Sequence, residues 1–139
     1  MPAKPESALY RRVKENIPNC HFTRIESRVN LGIPDCLIAF PHGEFVMVEL
    51  KVVKRGKKVN LSPHQVAFHL KHSDLRCPTY ILVQYQPAKA RTVAGAELLL
   101  YGGDQVLELH KLGVELEPIA RWPWLGVPWN MVRQALLTG

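Results

Sequence analysis

The sequence contains no apolar run that approaches the roughly 20 residues needed to span a membrane. Its first residues, MPAKPESALYRR, lack the apolar core of a secretory signal peptide. Its cysteines (Cys20, Cys36 and Cys77) are odd in number and show no CxxC spacing, which argues against a disulfide framework and against a zinc knuckle. We therefore expect a cytoplasmic protein with reduced thiols and no membrane contact, acting inside a bacterium or inside a host cell.

Acidic residues are also scarce, because 12 aspartates and glutamates face 18 lysines and arginines. The resulting net charge of +6 favours a polyanionic partner such as nucleic acid. A hydrophobic fraction of 47% with 22% charged residues is typical of a globular chain and excludes a disordered one. At 139 residues, with no internal repeat or low-complexity tract, we expect a single domain spanning residues 1–139.

Two short apolar runs, Cys36 to Phe40 and Phe45 to Leu50, lie at the centre of the argument. Pro41, His42, Gly43 and Glu44 separate them, which predicts two adjacent strands joined by a tight turn. Asp35 opens the first run and Glu49 lies near the end of the second, where a core strand would not favour an acid.

Side chains alternate across a strand, so Glu49 and Lys51 share a face with Phe45 and Met47, while Val46, Val48, Leu50 and Val52 face the core. Two neighbouring carboxylates favour a bound divalent cation such as magnesium or manganese. A lysine beside them can position a water or stabilise charge that develops on a phosphate. A salt bridge from Glu49 to Lys51 or Lys54 is the alternative, but it does not explain the adjacent Asp35.

This stretch resembles the PD-(D/E)xK nuclease superfamily, with Pro34-Asp35 as the PD pair and Glu49-Leu50-Lys51 as the ExK triplet. Gly32-Ile33 before the first strand, and the LSPHQ segment ending at Gln65, are similar to the VRR-NUC branch and to archaeal-type Holliday-junction resolvases. The resemblance covers residues 6–85. It implies an α/β, restriction-endonuclease-like core with a central mixed β-sheet flanked by helices, and leaves residues 86–139 as a C-terminal elaboration.

The resemblance also implies a set of site residues and a cofactor. The cation would be Mg²⁺, with Mn²⁺ as a substitute. The catalytic residues would be Asp35, Glu49, Lys51 and Gln65, and the metal ligands Glu6, Asp35, Glu49 and the backbone carbonyl of Leu50. Glu6 has a second interpretation, as an acid that favours the helix dipole near the N-terminus of the first helix. Glu15, about half a turn out of phase with Glu6, should point away from the site.

A basic segment follows the second strand directly and contains Lys54, Arg55, Lys57 and Lys58. Taken alone it would be a solvated loop, but beside an acidic metal site it is suited to neutralise a phosphodiester backbone. Arg28 is a candidate phosphate contact in the approach to Asp35, with Ser27 and Asn30 as alternatives, and an exposed loop arginine as the simpler interpretation.

Together these features predict a magnesium-dependent DNA endonuclease that hydrolyses phosphodiester bonds. The resolvase resemblance implies selectivity for branched DNA such as a four-way junction, and a homodimer that cuts opposed strands. The alternatives are a nuclease on flap, nicked or duplex DNA in repair or restriction, and a non-catalytic DNA-binding module.

The remaining patterns predict a helix from Pro5 to about Asn16, a strand from His21 to Ser27, and an internal strand from Thr79 to Tyr85. A helix capped by Ser62 should start at Pro63 and run toward Ser73. Its residues Gln65, His69 and His72 should form a polar stripe, and we do not favour a zinc site built from His64, His69 and His72.

Toward the C-terminus, Glu97 to Tyr101 is expected to be the last strand. The Gly102-Gly103-Asp104 segment is either a hairpin turn or a helix start capped by Asp104, and we favour the helix. Trp122, Trp124 and Trp129 could stack on unpaired bases or form a dimer contact, although tryptophans of this kind more often close a core.

Overall fold

The structure is a computed structural model that describes residues 5–26, 29, 31–87 and 95–138. It contains a six-stranded sheet in which the strands follow their order in the chain. The strands are β1 (His21–Arg24), β2 (Cys36–Phe40), β3 (Glu44–Val53), β4 (Thr79–Tyr85), β5 (Glu97–Gly102) and β6 (Ala120–Pro123). The helices in the described residues are α1 (Pro5–Asn16), α2 (Pro63–Asp74), α3 (Val106–Leu112) and α4 (Trp129–Thr138).

The sheet is mixed. Strands β1, β2 and β3 pair in antiparallel fashion, β3 and β4 pair in parallel, and β5 and β6 continue antiparallel. The parallel pair requires a crossover, and α2 supplies it. The prediction of an α/β fold with a central mixed sheet flanked by helices is therefore confirmed.

Two apolar clusters cover the two faces of this sheet. One joins α1 and α4 to the face that carries Val46, Val48 and Leu50. The other joins α2 and α3 to the opposite face, through side chains such as Ile81 and Val83. Strand β4 contributes to both clusters, as expected of an internal strand that is buried on both sides. Glu49 lies on the face that α2 covers, and this placement determines the neighbours of the candidate site.

The start of α2 is fixed by its sequence. The Ser62 hydroxyl accepts a hydrogen bond from the backbone N–H of Gln65, and the Gln65 side chain accepts one from the backbone N–H of Ser62. Pro63 occupies the first turn, where its missing N–H costs nothing. This reciprocal capping box holds the Gln65 side chain at the N-terminal end of the helix, close to β3.

Several local predictions are wrong in detail. Strand β1 ends at Arg24 rather than Ser27, and β6 follows β5, so Glu97–Gly102 is not the last strand. The helix after β5 does form, but Asp104 does not cap it, because a 3-10 turn (Gly103–Gln105) comes first and the Gln105 side chain binds the Gly102 N–H.

The tryptophans belong to the core. Trp122 on β6 and Trp124 just after it are buried in the cluster beneath α1 and α4, and Trp129 packs against the same cluster. Base stacking by the two buried rings is thus not available to them, which supports the core interpretation. Among the helices of the described residues, none is both long and apolar enough to cross a membrane.

Candidate active site

Asp35 and Glu49 are brought together by the pairing of β2 with β3. Cys36 is in register with Val48, so the residue before Cys36 lies opposite the residue after Val48. Asp35 Oδ2 accepts a hydrogen bond of 2.7 Å from the backbone N–H of Leu50, which fixes its side chain at the end of β2. The predicted juxtaposition of the two acids is therefore present in the structure.

The pairing of β2 with β3 places the two carboxyl groups side by side, and each affects the pKa of the other. Burial, with a further contribution from the Glu49 carboxylate, raises the pKa of Asp35 to about 7. Burial also raises the pKa of Glu49, and the charge of Lys51 opposes the increase at both acids. A pair of acids held in this way is costly to ionise without a cation beside it.

Gln65 connects the acidic pair to Lys51. Its Nε2 donates to Glu49 Oε2 at 3.1 Å, while its Oε1 accepts from Lys51 Nζ at 3.0 Å. The same Oε1 also accepts the Ser62 N–H of the capping box. The amide orientation is therefore set from three sides, and it holds the ammonium of Lys51 beside the carboxylate of Glu49.

His69 lies directly beneath Glu49 and is fully buried, with 0% of its surface exposed. Its Nδ1 is 3.0 Å from Thr79 Oγ1, and its Nε2 is 3.7 Å from Glu49 Oε1. Burial lowers the pKa of His69 to about 4, so the ring is neutral near pH 7. The prediction that His69 belongs to an exposed polar stripe is wrong, because α2 packs with this residue facing the sheet.

The other two histidines of α2 lie elsewhere. His64 is exposed in the first turn, and His72 stacks on Phe68 with ring centroids 3.8 Å apart. Within the described residues, no group of three or more His, Cys, Asp or Glu side chains is arranged to hold a metal ion. Any cation at this site would thus depend on the Asp35 and Glu49 pair, with backbone oxygen and water completing its shell.

The donor set suits magnesium, which keeps several waters and is commonly bound through one or two carboxylates. Glu49 Oε1 is buried without a hydrogen-bond partner among the described residues, so a carboxylate oxygen remains available. In an extended strand the N–H and C=O of one residue point to the same side, so the Leu50 carbonyl lies on the side from which its N–H meets Asp35. The residues present therefore fit a hard divalent cation.

Glu6 is part-buried near the N-terminus of α1, and its charge contributes to the raised pKa of Glu49. It lies within electrostatic range of the pair without completing a three-ligand group. Glu15 is exposed on the same helix. Of these two acids, Glu6 is the one whose charge reaches the site, and its role as a ligand stays a prediction.

The basic segment extends from the same strand. Lys54 follows β3 directly and lies roughly 10 Å along the chain from Lys51, at about 3.3 Å per residue. Lys57 forms a 2.7 Å ion pair with Glu115, and its carbonyl accepts the Val114 N–H. In the part of the chain that the structure describes, Lys54, Arg55 and Lys58 are exposed and form no ion pair. Arg28, Ser27 and Asn30 lie outside the described residues.

His69 and Thr79 are the members of this cluster that sequence reasoning missed. A signal was present, because His69 is four residues after Gln65 and so lies on the same face of α2. Thr79 opens β4, the strand that runs parallel to β3, and its register partner is Met47. The strand pairing thus places the Thr79 hydroxyl opposite a residue two positions before Glu49 in β3, within reach of His69 on α2.

No protein-family model matches this sequence, and no curated protein is significantly similar to it. The functional assignment accordingly depends on the residues, their geometry and the motif resemblance.

Proposed function

We propose that this protein is a metal-dependent DNA endonuclease that hydrolyses phosphodiester bonds. The observation that carries the proposal is the placement of the half-buried Asp35 beside the buried Glu49, next to a lysine that Gln65 holds in place. A structural ion pair would need one acid and one base. Two acids side by side instead favour a site that binds a cation in its working state.

Asp35, Glu49 and the Leu50 carbonyl would hold Mg²⁺, or Mn²⁺ as a substitute, with Glu6 contributing charge from α1. When bound, the cation would lower the pKa of a coordinated water and offset negative charge on the attacked phosphate. Lys51 has three N–H donors and one of them is used on Gln65. The others can orient the attacking water or stabilise the oxygens of the phosphate as charge accumulates there.

DNA is the polyanion that best suits the surroundings of this site. The net charge of +6 and the exposed cations of the basic segment, Lys54, Arg55 and Lys58, would neutralise the phosphate backbone as it approaches the acids. The resemblance to Holliday-junction resolvases favours branched DNA and a homodimer that presents two sites. An intracellular setting accords with the free thiols of Cys20, Cys36 and Cys77.

The experiment is cleavage of a labelled four-way junction, compared with a flap and a duplex of matched sequence, in Mg²⁺, Mn²⁺ and EDTA. Glu49→Ala is the control for the site. Paired symmetric cuts in the junction, absent in EDTA and in the variant, are expected of a dimeric resolvase. Equal cutting of all substrates would keep the nuclease and remove the junction preference. Binding without cutting in any metal would contradict the enzyme and favour a DNA-binding module.

A further inference from the structure

Two buried polar atoms face each other beneath the acidic pair. Glu49 Oε1 and His69 Nε2 have no hydrogen-bond partner among the described residues, and they are 3.7 Å apart. Both side chains are almost completely buried, at 1% and 0% exposure. Buried polar atoms are nearly always satisfied in folded proteins, so two unsatisfied atoms that face each other call for an explanation.

We propose that His69 is a positioning residue for the metal-binding carboxylate, acting as a neutral N–H donor to Glu49 while the Thr79 hydroxyl satisfies its Nδ1. This inference rests on the proposed function, because it assigns a role toward the same cation. It extends that function beyond the motif residues, to a histidine on α2 and a threonine on β4 that contact each other between the helix and the sheet.

The hydrogen-bond chemistry supports only one arrangement for an ionised Glu49. If Nδ1 carried the proton, the lone pair of Nε2 would face a carboxylate oxygen, which is repulsive. If Nε2 carries the proton, Nδ1 is an acceptor, and the Thr79 hydroxyl at 3.0 Å is the donor it needs. The ionised Glu49 carboxylate, which can only accept, therefore favours the tautomer with the proton on Nε2, and the Thr79 hydroxyl is able to satisfy Nδ1 in that tautomer.

The present separation of 3.7 Å exceeds a hydrogen bond by roughly 0.8 Å. The other oxygen of Glu49 is already held by Gln65 Nε2 at 3.1 Å. When the His69 contact shortens to a hydrogen bond, the carboxylate has a donor from α2 at each oxygen, and the helix then defines the plane of the carboxylate. Outer partners of this kind orient a metal ligand, and their loss typically costs about 10- to 100-fold in metal affinity or activity.

The test measures Mn²⁺ affinity by calorimetry in the full chain without DNA, so that it does not depend on cleavage. His69→Leu removes the donor and should weaken Mn²⁺ binding by about 10- to 100-fold. His69→Gln places an amide N–H near the position of Nε2 and should recover most of this loss. Thr79→Val should give a smaller loss, because the ring stays in place while its Nδ1 loses its hydroxyl partner.

His72→Leu is the matched control, because it removes a histidine one turn along the same helix whose Nδ1 contacts the Phe68 carbonyl instead. It should leave Mn²⁺ affinity unchanged. Thermal melts of every variant separate a loss of folding from a loss of metal binding. DNA affinity in EDTA should be unchanged for His69→Gln and His69→Leu, because the side chain at position 69 is buried and does not reach the surface.

Two results would overturn the positioning role while leaving the nuclease intact. One is wild-type Mn²⁺ affinity in a folded His69→Leu protein, and the other is equal weakening by the leucine and glutamine variants, which would mean that the ring only fills space. If the wild-type protein itself binds no Mn²⁺ and cuts no DNA, the proposed function fails and this inference fails with it.

Discussion

Two buried polar side chains, Glu49 and Tyr101, lie in one row across the sheet but differ in how their polar atoms are satisfied. Glu49 on β3 is in register with Ile81 on β4, which is in register with Tyr101 on β5. The Tyr101 hydroxyl donates to the Leu116 carbonyl at 2.9 Å, so its burial is compensated. Glu49 has a like charge beside it and an oxygen without a partner in the described residues.

The surroundings of Tyr101 favour a stable fold, whereas the surroundings of Glu49 lower the stability of the fold. A core tolerates a buried hydroxyl when it is hydrogen-bonded, and Tyr101 meets this condition. Glu49, an equally buried group two strands away, meets it at only one of its two oxygens, because Gln65 donates to Oε2 while Oε1 has no hydrogen-bond partner in the described residues. Two acids whose ionisation is unfavourable, next to a buried oxygen without a partner in the described residues, form the pattern expected of a functional site.

The largest expected effect is the loss of cleavage in Asp35→Asn. The amide keeps the shape of the side chain but removes a negative ligand of the cation, and we expect cleavage to fall about a thousandfold or more. Binding to the junction in EDTA should be unchanged or tighter, because a charge that repels phosphate is gone. Tyr101→Phe, at the satisfied end of the row, should cleave normally. Normal cleavage by Asp35→Asn would mean that the site assignment is wrong.

The second expected effect is on the pH dependence of stability in the metal-free protein. The pKa of Asp35 in the folded state is about 7, above its ordinary value of 3.8. The folded state therefore binds the proton more tightly, and this contribution to stability is present at low pH and lost as pH rises through 7. Asp35→Asn lacks the titration, so its melting temperature relative to wild type should increase between pH 5 and pH 8.

The melting temperatures would be measured in EDTA, and we expect the difference at pH 8 to reach roughly 5 °C, at about 2–4 °C per kcal/mol. The lowered pKa of His69 gives the opposite slope, with stability gained as pH rises above 4, but His69 is present in both proteins and its effect largely cancels. Mg²⁺ should narrow the difference at pH 8 by binding the folded wild type. A difference that does not change with pH would contradict the unfavourable ionisation.

The third prediction concerns the basic segment, where a lysine in an ion pair lies close in sequence to lysines without one in the described residues. Lys57 is paired with Glu115, while Lys54 and Lys58 have no ionic partner in the described residues. Replacing Lys54 and Lys58 by alanine should weaken DNA binding and reduce the salt slope by about two, at roughly 0.9 per phosphate contact. Lys57→Ala should reduce it much less, because its charge is already offset.

Fluorescence anisotropy in EDTA at several salt concentrations would measure these slopes without cleavage. Glu115→Gln is the matched control, since it releases Lys57 from its ion pair and should increase the slope. Equal slopes for the double variant and the wild type would show that DNA approaches from another side.

The elements that the sequence predicts well are those determined by neighbours along the chain. The run from Thr79 to Tyr85 forms β4 over the residues expected, and Ser62 with Pro63 starts α2 as expected. The acidic pair is predictable for a related reason, because a short turn between two strands brings their acids together. Gln65 is predicted as a site residue from the motif resemblance, and the capping box that fixes its side chain in the structure is a local pattern.

What the sequence did not reveal depends on contacts between distant segments. The burial of His69 results from the way α2 packs over β3 and β4, and the same stretch of helix read alone favours an exposed stripe. The pairing of Lys57 joins residues 58 positions apart. Strand β6 is short and follows an irregular segment, so its pairing with β5 has no strong periodic signal.

The smallest expected effect concerns the free energy of unfolding, and it compares two single substitutions, one at each end of the row. Tyr101→Phe removes the hydroxyl and leaves the Leu116 carbonyl without its donor, so it should lower the free energy of unfolding by about 1 kcal/mol. Glu49→Gln keeps its shape and removes a buried charge, so in EDTA at pH 8 it should raise that free energy by about 1 kcal/mol. Urea unfolding of both variants would measure the two changes in the free energy of unfolding, and we expect them to have opposite signs. A destabilised Glu49→Gln protein would show that the carboxylate supports the fold, and the acidic pair would then need a structural explanation instead of a catalytic one.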